Sequence, residues 1–322
     1  MAVPEPTTAP VRGSNSVGDG AVLRLSDIRM RDPFIVDADG SFVLFGTTDH
    51  NLWGGPGTGF DCYTSEDLET WHGPFPAFRP PPGFWADTQF WAPEVHRYRG
   101  RYFLFATFAS SETHVRGVAV LVSTDPTGPY VPWSAGPVTP TDVPCLDGTL
   151  YVDESGRPWL VYSRGAEGAL GGAPGLADGE MYARPLSGDL REPAGPPALL
   201  FRASSAAWSK PLWFPDGVEP PEELNLAKDP LFTDGPFVVR SPEGALLMLW
   251  SSFGEEGYAM GVARSESGSI LGPWVQRPEP LWPLNGGHGM IFATAGGARH
   301  LVFHHPNETP LERVKVVDVV VA

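Results

Sequence analysis

The sequence predicts an all-β fold, a five-bladed β-propeller with a central funnel, on three observations. First, one pattern recurs five times: an opening with an ionisable residue, a short apolar strand, a turn, and a second apolar strand ending in small or hydroxyl residues. The openings are Arg31-Asp32-Pro33-Phe34, Ala92-Pro93-Glu94-Val95, Leu146-Asp147-Gly148-Thr149, Thr233-Asp234-Gly235-Pro236 and Gly287-His288-Gly289-Met290. Second, 38 Gly and 36 Pro suit many tight turns and few helices. Third, a repeat of this size built from strands alone reads as a propeller blade, whose innermost strand starts at the central axis. Five such openings then converge on one small volume holding Asp32, Glu94, Asp147, Asp234 and His288.

The elements follow in order. The first blade opens at Asp32, turns at Ala38-Asp39-Gly40 and continues through Phe42-Val43-Leu44-Phe45-Gly46-Thr47. A loop containing Trp53 precedes a third strand over 60–65, and Ser65-Glu66-Asp67-Leu68 leads to Trp71. Ser123-Thr124-Asp125, Ser187-Gly188-Asp189 and Ser265-Glu266-Ser267 repeat that element; Ser and Asp there bond backbone amides in turns into an outer strand. Second strands recur as Tyr102-Phe103-Leu104-Phe105-Ala106-Thr107, Trp159-Leu160-Val161-Tyr162-Ser163 and Leu246-Leu247-Met248-Leu249-Trp250-Ser251. The fifth, His300-Leu301-Val302-Phe303-His304, ends in His instead. Gly- and Pro-rich inserts at 165–178 and 208–228 are long for a compact domain and are expected to wall the funnel. The valine-rich run 314–321 reads as a strand, expected to close the ring against the first blade.

Organisation follows from the repeats: residues 1–22 as a flexible leader, and 23–322 as a single five-bladed β-propeller. The leader is rich in Pro, Thr, Gly and Ser and has no apolar stretch of the kind a secretory signal carries, so a cytoplasmic location is expected, without excluding secretion. No apolar run approaches the roughly 20 residues of a membrane span. The formal net charge of −16 and the lack of a Lys/Arg cluster exclude a nucleic-acid partner, while a neutral substrate is indifferent to it. The two cysteines, Cys62 and Cys145, fall in different repeats and do not signal a disulfide. Nor does any His-linked arrangement mark Cys145 as a nucleophile.

Clustered carboxyls suit hydrolysis of a glycosidic bond, where one carboxyl protonates the leaving oxygen and a second activates water or attacks the sugar. A third nearby carboxylate drives their pKa values apart by repulsion. Asp32, Asp147 and Asp234 would supply all three. Here the motifs resemble glycoside hydrolase family 43, five-bladed propeller enzymes acting on arabinofuranosides and xylosides. Arg31-Asp32-Pro33-Phe34 is similar to the family segment bearing the general base, and Cys145-Leu146-Asp147-Gly148-Thr149 to the one whose Asp orients the acid and adjusts its pKa. Thr233-Asp234-Gly235-Pro236-Phe237 falls at the segment of the general acid, and Phe90-Trp91-Ala92-Pro93-Glu94-Val95 is also family-like. The resemblance implies an inverting hydrolase of α-L-arabinofuranosyl or β-xylosyl linkages, with an oligosaccharide or polysaccharide as substrate. It implies no required cofactor and raises a calcium ion near His288. One departure stands out: the family acid is usually Glu, and Asp234 is shorter by a methylene.

Around these carboxyls, Phe34, Trp53, Trp91 and Phe253 are candidate apolar walls for a sugar ring. Glu94 is a candidate pocket-lining acid, and Arg164 a candidate partner of Asp147 or of a sugar hydroxyl. His288 is the candidate metal ligand, although calcium prefers oxygen. His304 and His305 read as strand-end structure. Two alternatives stand beside hydrolysis of these sugars. One is a noncatalytic carbohydrate-binding propeller, which Asp234 keeps open; the other is a propeller glycosidase of different specificity, such as one acting on fructosides with retention.

Overall fold

The computed structural model describes residues 21–168, 172, 174–212, 219–294 and 296–319. Among the described residues five antiparallel sheets follow one another along the chain, and after the first short strand of the chain each runs outward from its innermost strand. The innermost strands are Arg31–Ala38, Thr88–Tyr98, Leu146–Val152, Asp234–Arg240 and Gly287–Ala293, for blades 1 to 5 in order. Blades 2, 3 and 4 have four strands and blade 5 three, while blade 1 gains a fifth strand, Ala21–Leu23, on its outer edge. Of the leader expected over 1–22, residues 1–20 lie outside the described residues. Among the described residues no helix is long and apolar enough to cross a membrane.

The valine-rich run does not close the ring by strand pairing. Arg313–Asp318 is instead the third strand of blade 5, paired with Arg299–His305, and residues 320–322 lie outside the described residues. A hairpin partner a short loop away costs less closure entropy than one across the ring. The segment still touches the start of blade 1, through a bridge between Arg29 and Arg313, a Met30 N–H to Glu312 carbonyl bond and an Arg29–Glu312 ion pair at 3.3 Å.

What closes the ring is a set of side-chain to backbone bonds at the axis, and it explains why the second strands end in hydroxyl residues. Thr47 Oγ1 accepts the Ala92 N–H of the next blade at 2.8 Å, and Thr107 Oγ1 accepts that of Asp147 at 2.8 Å. Ser251 Oγ accepts the His288 N–H at 2.9 Å. Ser163 Oγ bonds the Thr233 carbonyl and hydroxyl between blades 3 and 4. The circle closes where His304, the odd member in sequence, accepts the Asp32 N–H on Nδ1 at 3.1 Å.

These bonds sit at a bulge that every inner strand shares. Pairing skips between Arg31 and Phe34, Trp91 and Glu94, Leu146 and Thr149, Asp234 and Phe237, and Gly287 and Met290. The residue after each skip begins is left-handed: Asp32, Ala92, Asp147, Gly235 and His288. Such a bulge re-aims side chains, here toward the axis. A left-handed non-glycine residue costs on the order of 1–3 kcal/mol, a cost that concentrates at functional sites. Apolar side chains packed between blades hold the frame, with Trp71, Trp250, Phe60 and Phe105 among the fully buried ones.

Candidate active site

The structural repeat corrects the sequence alignment of the openings. Asp32, Asp147 and His288 occupy equivalent left-handed positions, whereas blades 2 and 4 place Ala92 and Gly235 there. Asp234 stands one residue earlier and Glu94 two residues later. Gly235 is required: a Cβ on it would lie 2.7 Å from His288 Cγ. The axial cavity above these openings has a volume of about 550 Å³. Asp32, Asp147, Asp234 and His288 all line it, as do Trp53, Trp91 and Phe253.

Three of the expected residues do not line it. Phe34 is buried below, edge-on to His96 and Phe237 with ring centroids 5.1 and 6.1 Å away. Glu94 is buried against His96, its Oε2 3.1 Å from Nε2. Both follow the bulge, where the pleat has carried the strand deeper along the axis. Arg164 ends its strand opposite Glu180 and pairs with it across the strands at 3.5 Å, away from Asp147.

The carboxylates meet around one imidazole. His288 Nδ1 lies 3.2 Å from Asp32 Oδ1, 3.7 Å from Asp234 Oδ1 and 3.9 Å from Asp147 Oδ2. Asp32 Oδ2 accepts the Thr47 hydroxyl at 2.6 Å, so the residue that ties blade 1 to blade 2 also aims this carboxylate. Asp147 is pinned on both sides, by Thr107 and by the Gly235 N–H at 3.4 Å. Asp234 Oδ2 accepts the Tyr258 hydroxyl at 2.5 Å.

Proton affinities separate as like charges in a confined site require. Burial pushes Asp147 well up, and the charge of Asp234, the hydrogen bond to it and the charges of Asp32 and Glu167 add to this. Burial acts upward on Asp234 too, but the hydrogen bond from Asp147, His288, the Tyr258 hydroxyl and Arg31 outweigh it and hold Asp234 down. The hydrogen bond between the two carboxyls thus raises the proton affinity of Asp147 and lowers that of Asp234. Burial, with Arg31 nearby, pushes His304 down to about 3. Its neutral ring stacks on Tyr258 at 5.6 Å and meets Asn307 Oδ1 through Nε2 at 3.0 Å.

Sequence reasoning missed Tyr258, His304 as a site residue, Asn307 and Glu167. The departure of the fifth second strand from the hydroxyl rule was the one signal available for His304. Arg31, beside the expected base, bonds Asn307 Oδ1 at 2.5 Å and lies over the Trp53 ring at 5.4 Å. Trp91 meets Trp53 edge-on at 5.9 Å and donates its indole N–H to the Leu52 carbonyl at 2.6 Å. Those aromatic faces and convergent polar groups suit a sugar ring.

Asp147, Asp234 and His288 each offer one atom within 4.8 Å of the others, the densest grouping of metal-capable atoms among the described residues. It is not an oxygen cage of the kind calcium selects. The imidazole nitrogen is at hydrogen-bonding distance from Asp32, and the two carboxyls are hydrogen-bonded to each other. A cation beside His288 would draw most of its shell from water.

Comparison with known proteins shows the family. The family model for glycosyl hydrolases family 43 matches residues 25–320. The chain belongs to that family. It is therefore a glycosyl hydrolase, of a family whose chemistry needs no cofactor. Among solved structures it is similar to an endo-arabinase from Bacteroides thetaiotaomicron VPI-5482, at 38% identity and a TM-score of 0.79, covering 93% of this chain and 97% of that one. It shares the fold of an α-L-arabinofuranosidase from Lactobacillus brevis, at 18% identity and a TM-score of 0.63, covering 91% and 94%. A curated relative, the extracellular exo-α-(1→5)-L-arabinofuranosidase ArbA of Cellvibrio japonicus (strain Ueda107), is 23% identical over 150 residues, or 42% of this chain. The match spans 40% of that relative's length.

Proposed function

We propose that this glycosyl hydrolase cleaves α-L-arabinofuranosyl or β-xylosyl linkages of oligosaccharides or polysaccharides by a single inverting displacement, with arabinan-type chains as the preferred class. The observation that carries the reading is the meeting of Asp32, Asp147 and Asp234, from three blades, around one imidazole in an aromatic-walled cavity. The name of the similar Bacteroides protein supports arabinan as the substrate class.

In this mechanism Asp32 takes a proton from the attacking water. Its Oδ2 is held by Thr47, and Oδ1 is left toward the cavity beside His288. Water oxygen bonds the anomeric carbon as the bond to the leaving oxygen breaks. Trp53 and Trp91 wall the ring. Asp147 stays protonated and fixes Asp234 as a carboxylate, whose negative charge stabilises the oxocarbenium-like transition state. Asp234 occupies the family position of the acid, yet its proton affinity is held down by Asp147, His288 and Tyr258. A carboxyl of raised proton affinity is the better donor to the leaving oxygen, and Asp147 and Glu167 are the two carboxyls along this cavity held above their usual range.

A screen of aryl α-L-arabinofuranosides and β-xylosides tests the reading, with Asp32→Asn as the control. Turnover by the parent and its loss in the variant are expected. Sugar binding without turnover of any substrate would leave only a noncatalytic propeller.

A further inference from the structure

We propose that Glu167 donates the proton to the leaving-group oxygen in this chain, and that Asp234 has become a fixed carboxylate. This rests on the hydrolase reading above and adds a catalytic residue to it.

The case starts from what an inverting acid must do. It must hold a proton in the resting enzyme, be free to present it, and stand about 6.5–9.5 Å from the base so that water fits between them. Asp234 meets none of these well. It is a methylene shorter than the family's Glu. Its Oδ2 is taken by Tyr258. Its Oδ1 sits 3.7 Å from the same imidazole nitrogen that lies 3.2 Å from Asp32 Oδ1. Laid end to end, those distances only just reach the lower bound of about 6.5 Å. Asp147 keeps a proton, but it gives it to Asp234 and is pinned by Thr107 and Gly235.

Glu167 differs on the first two counts, in its hold on a proton and in having an oxygen not committed to a neighbour. It lines the cavity, is only 8% exposed, and its Oε2 is buried with no hydrogen-bond partner among the described residues. A buried carboxyl oxygen without a partner costs on the order of 1–3 kcal/mol, so its presence asks for an explanation. A leaving oxygen becomes that missing partner when the carboxyl turns toward the cavity that Glu167 lines. The chain delivers the residue firmly: Gly168 N–H bonds the Leu224 carbonyl at 2.8 Å, and Ala227 N–H bonds the Ala166 carbonyl at 3.3 Å. Gly165 leaves room for it, since a Cβ there would lie 2.5 Å from Glu167 Oε2 and 3.3 Å from the Thr233 carbonyl oxygen. The carboxyl is thus beside the segment that carries Asp234. Burial first, then the Asp234 charge, pushes Glu167 up to about 7, with Arg116 acting the other way. A proton donor poised near the working pH is the condition for efficient general acid catalysis.

The step balances. Water oxygen bonds the anomeric carbon and its proton passes to Asp32. The electron pair of the breaking bond stays on the leaving oxygen, which takes the Glu167 proton. Exchange with solvent afterwards returns Asp32 to carboxylate and Glu167 to acid.

The test compares the parent, Glu167→Gln and Asp234→Asn on arabinobiose and on aryl arabinofuranosides of graded leaving-group acidity, with melting curves to confirm folding. Glu167→Gln should lose about 10²–10⁴-fold in kcat/KM on arabinobiose and no more than about tenfold on a dinitrophenyl arabinofuranoside, which needs little acid help. It should also lose the alkaline limb of the pH profile. Glu167→Asp should keep that limb at a reduced rate, while Asp234→Asn should lose similar factors across the series. If Glu167→Gln loses equally on every leaving group, or if the graded loss appears in Asp234→Asn instead, the assignment falls while the hydrolase reading stands. A parent protein inert toward the whole series overturns both.

Discussion

His304 is expected to make this propeller lose stability in acid, and its contribution can be worked from the structure. The ring is fully buried, holds the Asp32 N–H on Nδ1, and is pushed from 6.5 down to about 3 by burial and by Arg31. Between those values the unfolded chain binds a proton at this site and the folded one does not, so stability falls as pH falls. The contribution is complete above about 6.5 and is gone only below about 3, at a little over 1 kcal/mol per pH unit between them. From pH 6.5 to about pH 4.5 that amounts to roughly 2 kcal/mol, since the unfolded His is only half protonated at the upper end. Raised carboxyls such as Asp147 and Glu167 act with the opposite sign, since their folded forms hold protons that the unfolded chain releases. Comparing the parent with His304→Gln cancels those shared terms. Gln offers an acceptor for the Asp32 N–H but does not titrate in this range. Urea unfolding at a series of pH values should give the variant a shallower fall toward acid, the difference between the curves closing by roughly 2 kcal/mol over those two units. Parallel curves would refute a neutral, ring-closing His304.

Other outcomes follow from the same geometry. Asp32→Asn should keep the fold, because Thr47 can still donate to the side chain, and should lower kcat by about 10²–10⁴-fold, read from aryl glycoside turnover. Gly235→Ala should drive a methyl into His288, costing on the order of 1–3 kcal/mol in urea unfolding and most of the activity. Treatment with EDTA followed by desalting should leave kcat/KM intact, because protons move among side chains alone. A loss restored by calcium would instead place a cation at His288 in the reaction.

The five blades were legible because each repeats an apolar strand, a turn and a second apolar strand ending at the axis. Asp32, Asp147 and Asp234 were legible as a group for the same reason. What failed was register. The openings were aligned on their ionisable residues, while the structure aligns them on the left-handed residue before Pro33, Pro93, Gly148, Pro236 and Gly289. A bulge leaves that following residue out of the ladder, so Pro or Gly is tolerated there. Read on that mark, Glu94 drops below the cavity and Asp234 moves one place back from its supposed equivalents. Glu167 could not have been found, because no repeat places it; an insert fixes it through backbone bonds to a distant loop. Tyr258 and Asn307 likewise carry no periodic signal, and only folding sets them beside Asp234 and Arg31.

The most direct measurement is the anomeric configuration of the first-formed sugar, followed by proton NMR while the parent enzyme turns over an aryl arabinofuranoside or xyloside. A base at Asp32 acting on water, with the proton donor across the cavity, requires the opposite configuration to that of the substrate. Retention would mean that a carboxylate attacks the sugar itself and would contradict the roles given to Asp32, Asp147 and Asp234.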